Sequence, residues 1–149
     1  MAKFIYRMQN ILDIKIKFES QARMQLASAM AKLAEEEKAL ESIKERKRNY
    51  EEEGIHLRLN SLHVREIIDN KNAIARMDEY IKTQLIQVRI AEKNLENARI
   101  KLQEIMKECK TYEKLREIAY DEFVLEQKRL ESKEIDELTS FTYGQKEEE

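Results

Sequence analysis

Few side chains in this sequence are of the kinds that bind metals, act as nucleophiles or hold phosphate groups. His56 and His63 have no cysteine and no third histidine near them, whereas a zinc site needs about three or four such ligands. The single cysteine, Cys109, is spaced with apolar residues, which is typical of a small buried side chain rather than of a nucleophile. The chain has two glycines, too few for a glycine-rich loop that binds phosphate.

Acidic runs are the remaining candidates for chemistry, because paired carboxylates can exchange protons. Residues 35–37 and 51–53 are each three glutamates. A carboxylate acts as a general acid near neutral pH only where a pocket raises its pKa, and two long helices leave no room for such a pocket. We therefore predict no catalytic, cofactor-binding or metal-binding residues, and a protein that is not an enzyme.

The composition favours long helices. Of the 149 residues, 39% are charged, and none is proline or tryptophan. The residues that dominate the chain, among them Glu, Lys, Leu and Ala, are good helix formers. The net charge is −2, and a short basic cluster at residues 44–48 is surrounded by glutamates. This balance is typical of a solvated helix surface and argues against nucleic-acid binding.

Apolar residues recur along the chain in alternating steps of four and three. A mean step of about 3.5 residues keeps them on one side of a slightly under-wound helix, as in a coiled coil. We call these positions the seam; on the first helix they are Met8, Leu12, Lys15, Glu19, Ala22, Leu26, Ala29, Leu33, Glu36, Leu40, Ile43, Lys47 and Tyr50. On the second helix they are Ile74, Met77, Ile81, Gln84, Val88, Ala91, Leu95, Ala98, Leu102, Ile105, Cys109, Tyr112, Arg116, Ala119, Phe123, Glu126 and Leu130.

Turn and capping residues predict where the helices begin and end. The elements should be a helix at about 4–53, a connection at about 54–61, a helix at about 62–138 and a frayed or disordered tail at about 139–149, within one coiled-coil domain, 1–149. Gly54 is a natural helix end, and Asn60 or Ser61 is a suitable N-cap for the second helix. Gly144 and the glutamates after it favour a disordered tail.

Two arrangements bury the seam, a homodimer and an antiparallel hairpin, and we predict the hairpin with the second helix longer. It places Tyr50 beside residues 67–70 and Leu12 beside residues 105–108, and it leaves about 20 residues of the second helix unpaired. An apolar stripe without an internal partner is a binding surface by default. That stripe consists of Tyr120, Phe123, Leu125, Leu130, Ile135 and Leu138.

Three segments of the chain resemble the FliJ family of flagellar type III export proteins. Residues 4–15, FIYRMQNILDIK, resemble the family's opening pattern F-x-Y-x-L-Q-x-x-L-x-x-K. Residues 112–117, YEKLRE, and 133–138, KEIDEL, resemble its late segments. The likeness extends over essentially the whole chain in length and layout.

The resemblance implies a non-enzymatic antiparallel coiled coil, similar to the central stalk of rotary ATPases. Such proteins sit in the hexameric ring of the flagellar export ATPase, contact the export-gate membrane protein and escort complexes of export chaperones with their substrates. This sequence shows neither a secretory signal nor the roughly 18 apolar residues of a membrane span. We expect a cytoplasmic protein, peripheral at the inner face of the cell membrane at the flagellar base.

The resemblance also implies two sets of contact residues. The end that contains both termini would enter the ATPase ring, with candidates Phe4, Tyr6, Met8, Tyr120, Phe123, Leu130 and Ile135. Alignment with the family's gate contacts, near the other end, gives Ile43, Tyr50, Ala73, Met77 and Tyr80. The sequence DNKNA at residues 69–73 departs from the family, whose members often have Tyr-Gln-Gln-aromatic there.

Two further functions fit the same pattern. One is the equivalent stalk of a virulence type III injectisome, which gene neighbourhood would distinguish from the flagellar protein. The other is a homodimeric structural coiled coil that has no ATPase partner, which a pull-down with the ATPase as prey would distinguish.

The hairpin predicts how Cys109 responds to oxidation. In an in-register parallel dimer the two copies of this seam cysteine would lie within bonding reach, whereas in a hairpin Cys109 faces the first helix near residues 8–11. Mild oxidation followed by non-reducing electrophoresis should therefore show little disulfide-linked dimer. Efficient cross-linking of Cys109 to its own copy would contradict the hairpin.

Overall fold

The structure, a computed structural model, describes residues 2–60 and 63–148. Within these residues the chain forms two helices and no strand, α1 over Gln9–Asn60 and α2 over Val64–Glu148. The helices contain 52 and 85 residues. The predicted all-α fold with a longer second helix is confirmed.

Helix α1 begins five residues later than the sequence predicts, at Gln9 rather than near Phe4. Residues 2–6 have no regular secondary structure, and residues 7–8 form a turn. The backbone N–H of Gln9 donates to the carbonyl of Tyr6 at 3.1 Å, and that of Leu12 donates to Met8 at 3.0 Å. The side chains before this turn contact α2 instead of continuing the helix.

Helix α1 also continues past its predicted end. Gly54 lies inside the helix and is buried, and the helix ends at Asn60. The alternating steps of the seam extend through Gly54 to the half-buried Leu57, so packing against α2 supports the helix beyond the glycine. The predicted connection at 54–61 is therefore wrong over 54–60. Ser61 and Leu62 lie outside the described residues, so the N-cap predicted at Ser61 cannot be compared with the structure.

Helix α2 continues ten residues beyond the predicted end at residue 138, as far as Glu148. Residues 139–148, predicted to be a frayed or disordered tail, are helical in the structure. The hydroxyl of Thr142 donates to the carbonyl of Leu138 at 2.8 Å. The segment contains no proline, so nothing in it interrupts the backbone hydrogen bonds of the helix.

The chain divides into two compact units. One is formed by Gln21–Gln103 and is called here the hairpin unit; the other is formed by Met1–Ser20 with Glu104–Glu149 and is called the terminal unit. Each unit pairs a segment of α1 with a segment of α2. The single domain expected over 1–149 stays a prediction.

In the hairpin unit the helices pair antiparallel, because partners on α2 come earlier in the chain as positions on α1 come later. Lys101 Nζ donates to Gln25 Oε1 at 3.2 Å, and Gln84 Nε2 donates to the carbonyl of Glu36 at 3.0 Å. Lys47 forms an ion pair with Asp78 at 2.7 Å. The buried apolar side chains of this unit are all seam residues or their neighbours: Ala22, Ala73, Met77, Val88, Ala91 and Leu102.

The terminal unit has the same antiparallel pairing. Lys15 Nζ lies 2.7 Å from the Glu108 carboxylate, and Arg116 Nε donates to Gln9 Oε1 at 3.0 Å. Lys15 thus lies where the predicted register places Leu12, a shift of about one helical turn. Cys109 and Leu12 are the buried apolar residues here, which agrees with the placement of both on the seam.

Seam packing makes a prediction about two neighbouring residues of α2. Leu102 is 8% exposed, whereas Ile100 is 46% exposed. Leu102→Asp would bury an unpaired charge and should lower the free energy of unfolding by about 3 kcal/mol or more. Ile100→Asp, the matched control, should lower it by less than about 1 kcal/mol. Thermal melts followed by far-UV circular dichroism measure both, and equal effects would mean that Leu102 does not pack against α1.

Candidate functional site

Residues 2–8 form a non-helical segment, called here the strap, whose aromatic side chain Phe4 packs on α2. The Phe4 ring meets Tyr120 edge-on, with ring centroids 5.3 Å apart and an interplanar angle of 84°. It also meets Phe123 in a tilted contact at 5.5 Å. Such edge-on and tilted contacts are the favoured aromatic geometries, because each ring has a negative face and a positive edge.

Polar contacts hold the strap at the same place. The guanidinium of Arg116 lies over the Phe4 ring, 5.5 Å from its centroid, at the distance of a cation–π contact. The same side chain donates to Gln9 at the start of α1. The hydroxyl of Tyr6 donates to the backbone carbonyl of Tyr112 at 3.1 Å. Two residues of the strap, Phe4 and Tyr6, are therefore fixed to α2 by specific contacts.

A shallow apolar groove runs between the strap and α2. Its lining includes Ile5, Met8, Leu115, Ile118, Ala119 and Phe123. Ile5, Leu115 and Ile118 are exposed, and Arg7 and Glu122 add one charge of each sign. A concave apolar surface with few polar groups suits an apolar side chain of a partner.

The last part of α2 has no helical partner. All residues from 128 to 147 are exposed, and 61% of the surface of Ile135 is accessible. Five large apolar side chains lie in this part: Leu130, Ile135, Leu138, Phe141 and Tyr143. Just before this part and at its start, Glu126 and Arg129 form a two-pronged pair at 2.7 and 3.1 Å. The hydrogen bonds from Arg129 lower the pKa of Glu126, so this pair stays charged at neutral pH.

The structure brings together part of the predicted ATPase-ring set. Phe4, Tyr120 and Phe123 form one aromatic cluster, while Tyr6 and Met8 lie in the strap beside it. Leu130 and Ile135 are separate from the cluster, since they come roughly 10 and 18 Å further along the helix axis than Phe123.

The groove residues Ile5, Leu115 and Ile118 were not predicted. Leu115 and Ile118 fall beside the seam rather than on it, and the strap that completes the groove was expected to be helical. The sequence feature that indicates the groove is that Leu115 and Ile118, although they lie beside the seam, are both apolar.

The predicted gate residues lie in the hairpin unit and differ in exposure. Ala73 and Met77 are buried, and Ile43 and Tyr50 are half-buried. Tyr80 is 51% exposed, so it has the largest accessible fraction of the set. Ala73 and Met77 contribute to the pairing of the helices, and a gate role for the set stays a prediction.

Other candidate chemical groups are not arranged as sites. Within the part of the chain that the structure describes, no group of three or more His, Cys, Asp or Glu side chains could hold a metal ion. Burial raises the pKa of the Cys109 thiol, and the nearby carboxylates of Glu19 and Glu113 raise it further, so the thiol stays protonated and weakly nucleophilic. No helix among the described residues is long and apolar enough to cross a membrane.

One protein family matches the chain over nearly its whole length. The family model, described as the flagellar FliJ protein, matches residues 4–148. The match begins at Phe4 of the strap and ends at the last residue of α2, and so includes both sets of predicted contact residues. Neither a curated protein nor a solved structure matches the chain.

The aromatic contacts make a prediction about the order of the strap. Phe4→Ala removes both ring contacts and the cation–π contact, so the strap should leave α2 for a larger fraction of the time. The amide of Gln9, which donates to Tyr6, should then exchange its hydrogen about tenfold faster or more, since roughly 1.4 kcal/mol of lost contact energy gives that factor. Ile5→Ala is the matched control, because Ile5 is 78% exposed, and should change the rate little. Equal rates in the two variants would contradict the anchoring role of Phe4.

Proposed function

The chain belongs to the FliJ family and is a component of the flagellar type III export apparatus, and we propose from this premise that it is the non-enzymatic central stalk and adaptor of that apparatus. In this proposal the protein inserts into the hexameric export ATPase and couples it to the export gate. It also assists the delivery of complexes between export chaperones and their substrates. The protein would work in the cytoplasm, peripheral to the membrane at the flagellar base.

The unpaired end of α2 is the observation that supports this proposal most. Residues 128–147 are exposed along a single helix, and large apolar side chains recur among them. A lone helix is about 10–12 Å in diameter with its side chains, so it fits a narrower channel than a helix pair does. Exposed apolar side chains on such a helix are suited to the apolar walls of a ring of subunits.

The aromatic cluster at the start of this end is suited to a second contact with the ring. Phe4 and the groove beside it offer apolar and aromatic surface, and aromatic side chains that become fully buried usually contribute most to the affinity of an interface. The strap, packed on one side of α2 where the helix leaves its partner, would make the stalk wider at that point. The wider part would set how far the unpaired end enters the ring.

Coupling to the ATPase follows from the mismatch between one stalk and six subunits. A single helix cannot contact all members of a six-fold ring in the same way, so the subunits in closest contact differ from the others in energy. If contact with the stalk favours one nucleotide state of a subunit, that state in turn binds the stalk more tightly, because linkage is reciprocal.

The gate contact is proposed for the hairpin unit. Tyr80 is half exposed, and Ile43 and Tyr50 each present part of a side chain at the same unit. Tyrosine is enriched in interfaces, because it combines a large apolar ring with a hydroxyl that can form hydrogen bonds. Ala73 and Met77 would act indirectly, by holding α2 against α1.

The two alternative functions have less support. The matching family is flagellar, which favours the flagellar apparatus over a virulence injectisome. A homodimeric scaffold paired along the seams would need side chains such as Leu12, Val88 and Leu102, which pairing within the chain already buries.

The proposal predicts which surface stimulates the ATPase. Leu130→Gln with Ile135→Gln removes exposed apolar side chains from the unpaired end, beyond the part of α2 that packs against α1, so the protein should stay folded. ATP hydrolysis by the purified flagellar export ATPase, measured with increasing amounts of the protein, should show at least about a tenfold loss of stimulation, since truncation of a central interface residue costs about 2 kcal/mol or more.

A matched control removes equally exposed residues elsewhere on α2. Ile86→Gln with Ile90→Gln alters two exposed isoleucines of the hairpin unit and should leave the stimulation unchanged. Tyr80→Ala should also spare it and should weaken binding to the export-gate protein. An equal loss from both double variants, or no stimulation by the unaltered protein, would contradict the stalk proposal and favour the scaffold.

A further inference from the structure

Gly54 occupies a place where the backbone does not require glycine. It lies in the interior of α1 and is buried, and glycine is the least favourable residue for a helix interior apart from proline. Neither glycine of the described chain has a positive φ, so left-handed backbone geometry does not explain its presence. The explanation must lie in the space around it.

Asn70 of α2 fills that space. A Cβ atom added to Gly54 would lie 2.5 Å from Oδ1 of Asn70 and 3.3 Å from its Cγ, closer than unbonded atoms can approach without a shift. At Gly144, by contrast, an added Cβ would meet no atom within 4 Å. The chain's two glycines therefore differ sharply: one leaves room for a side chain of the other helix, and the other lies open.

Asn70 uses this room to reach the backbone of α1. It is 7% exposed and is the buried polar residue of the described chain. Its Nδ2 donates to the carbonyl of Tyr50 at 2.7 Å, the carbonyl that lies one helical turn before Gly54. A buried amide without such a partner would be strongly unfavourable, so Asn70 has a large preference for a position opposite a residue without a side chain.

We propose that Gly54 and Asn70 form a register latch, a conformational device that fixes the axial position of α2 against α1 in the hairpin unit. The seam repeats every seven residues, so a slip of one repeat would still place apolar residues opposite one another. A slip toward the start of α1 would, however, move Asn70 from Gly54 to Lys47, whose long side chain fills the space. A slip the other way would carry Asn70 past Asn60, the last residue of α1, and away from the carbonyl of Tyr50. The apolar seam tolerates several registers, and the latch selects one.

The ion pair between Lys47 and Asp78 in the same unit has a weaker effect on the register. Lys47 and Asp78 retain 31% and 45% of their side-chain exposure, and ion pairs in contact with water contribute little to stability. A single buried asparagine, by contrast, is known to fix the register of coiled coils at some cost in stability. The latch therefore determines which residues of α2, Tyr80 among them, lie beside a given turn of α1.

The first experiment compares the two glycines. Replacement of glycine by alanine inside a helix normally stabilises it, so Gly144→Ala should leave the melting temperature unchanged or raise it. Gly54→Ala should instead lower it by about 4 °C or more, because Asn70 must move. In a background that contains Asn70→Ala, the same Gly54→Ala change should raise the melting temperature by about 2–4 °C. A rise with Gly54→Ala in the unaltered chain would overturn the proposal.

The second experiment measures register rather than stability. In a Cys109→Ser background, Gln25→Cys with Lys101→Cys reports the native register, in which these two positions are in contact, and Gln25→Cys with Asn94→Cys reports a slip of one repeat. A short bismaleimide should link the native pair and not the slipped pair. After Asn70→Leu, linkage of the slipped pair should rise at least about fivefold while the melting temperature does not fall, because leucine packs without a polar requirement. If the Asn70→Leu protein links only the native pair, Asn70 does not select the register and the latch is wrong.

Discussion

The pairing of one row of side chains on α1 with one row on α2 is the interaction on which the rest of the structure depends. Each unit has a seam rather than a three-dimensional core, and few of its side chains are fully enclosed. Small residues such as Ala22 and Ala91 allow close approach of the two backbones, while larger residues such as Leu102 fill the space between turns. With so little buried area, the correct match of positions along the seam matters more than the total amount of apolar surface.

Polar residues on the seam help to fix which positions of α1 and α2 lie opposite each other. Lys15 and Lys47 each donate to a carboxylate of α2, and the hydrogen bond raises the pKa of each lysine, so both pairs keep their charges well above neutral pH. Gln84 donates to both the carbonyl and the carboxylate of Glu36. Such contacts form only when the helices run antiparallel at one offset. They therefore contribute specificity where apolar residues alone would accept several arrangements.

The seam could be predicted from the sequence because its period is local. Every predicted seam position from Leu12 to Tyr50 is buried or half-buried in the structure, as alternating steps of four and three require. The errors lie where distant residues decide. From the local sequence, Gly54 predicts the end of a helix. It is instead inside α1, because Asn70 of the other helix occupies the space where a side chain would lie.

Non-local contacts also explain the errors near the termini. Residues 4–6 leave the helical path because Phe4 and Tyr6 find partners on α2 more than a hundred residues later. The groove at Leu115 and Ile118 exists only because the strap crosses beside them. The predicted disorder of residues 139–148 came from composition near a chain end, whereas the helix that precedes them extends through the segment.

The unpaired end of α2 has a kinetic consequence. The unfavourable step in making a helix is its first turn, and each later residue adds to an existing template. The seam-paired part of α2 provides that template, so residues 128–148 grow from an ordered helix and need no nucleation of their own. A partner that encloses this end meets chain that is already wound, so association loses less conformational entropy than the folding of a disordered tail would. Capture of the partner can then proceed at the speed of diffusion and docking rather than of folding.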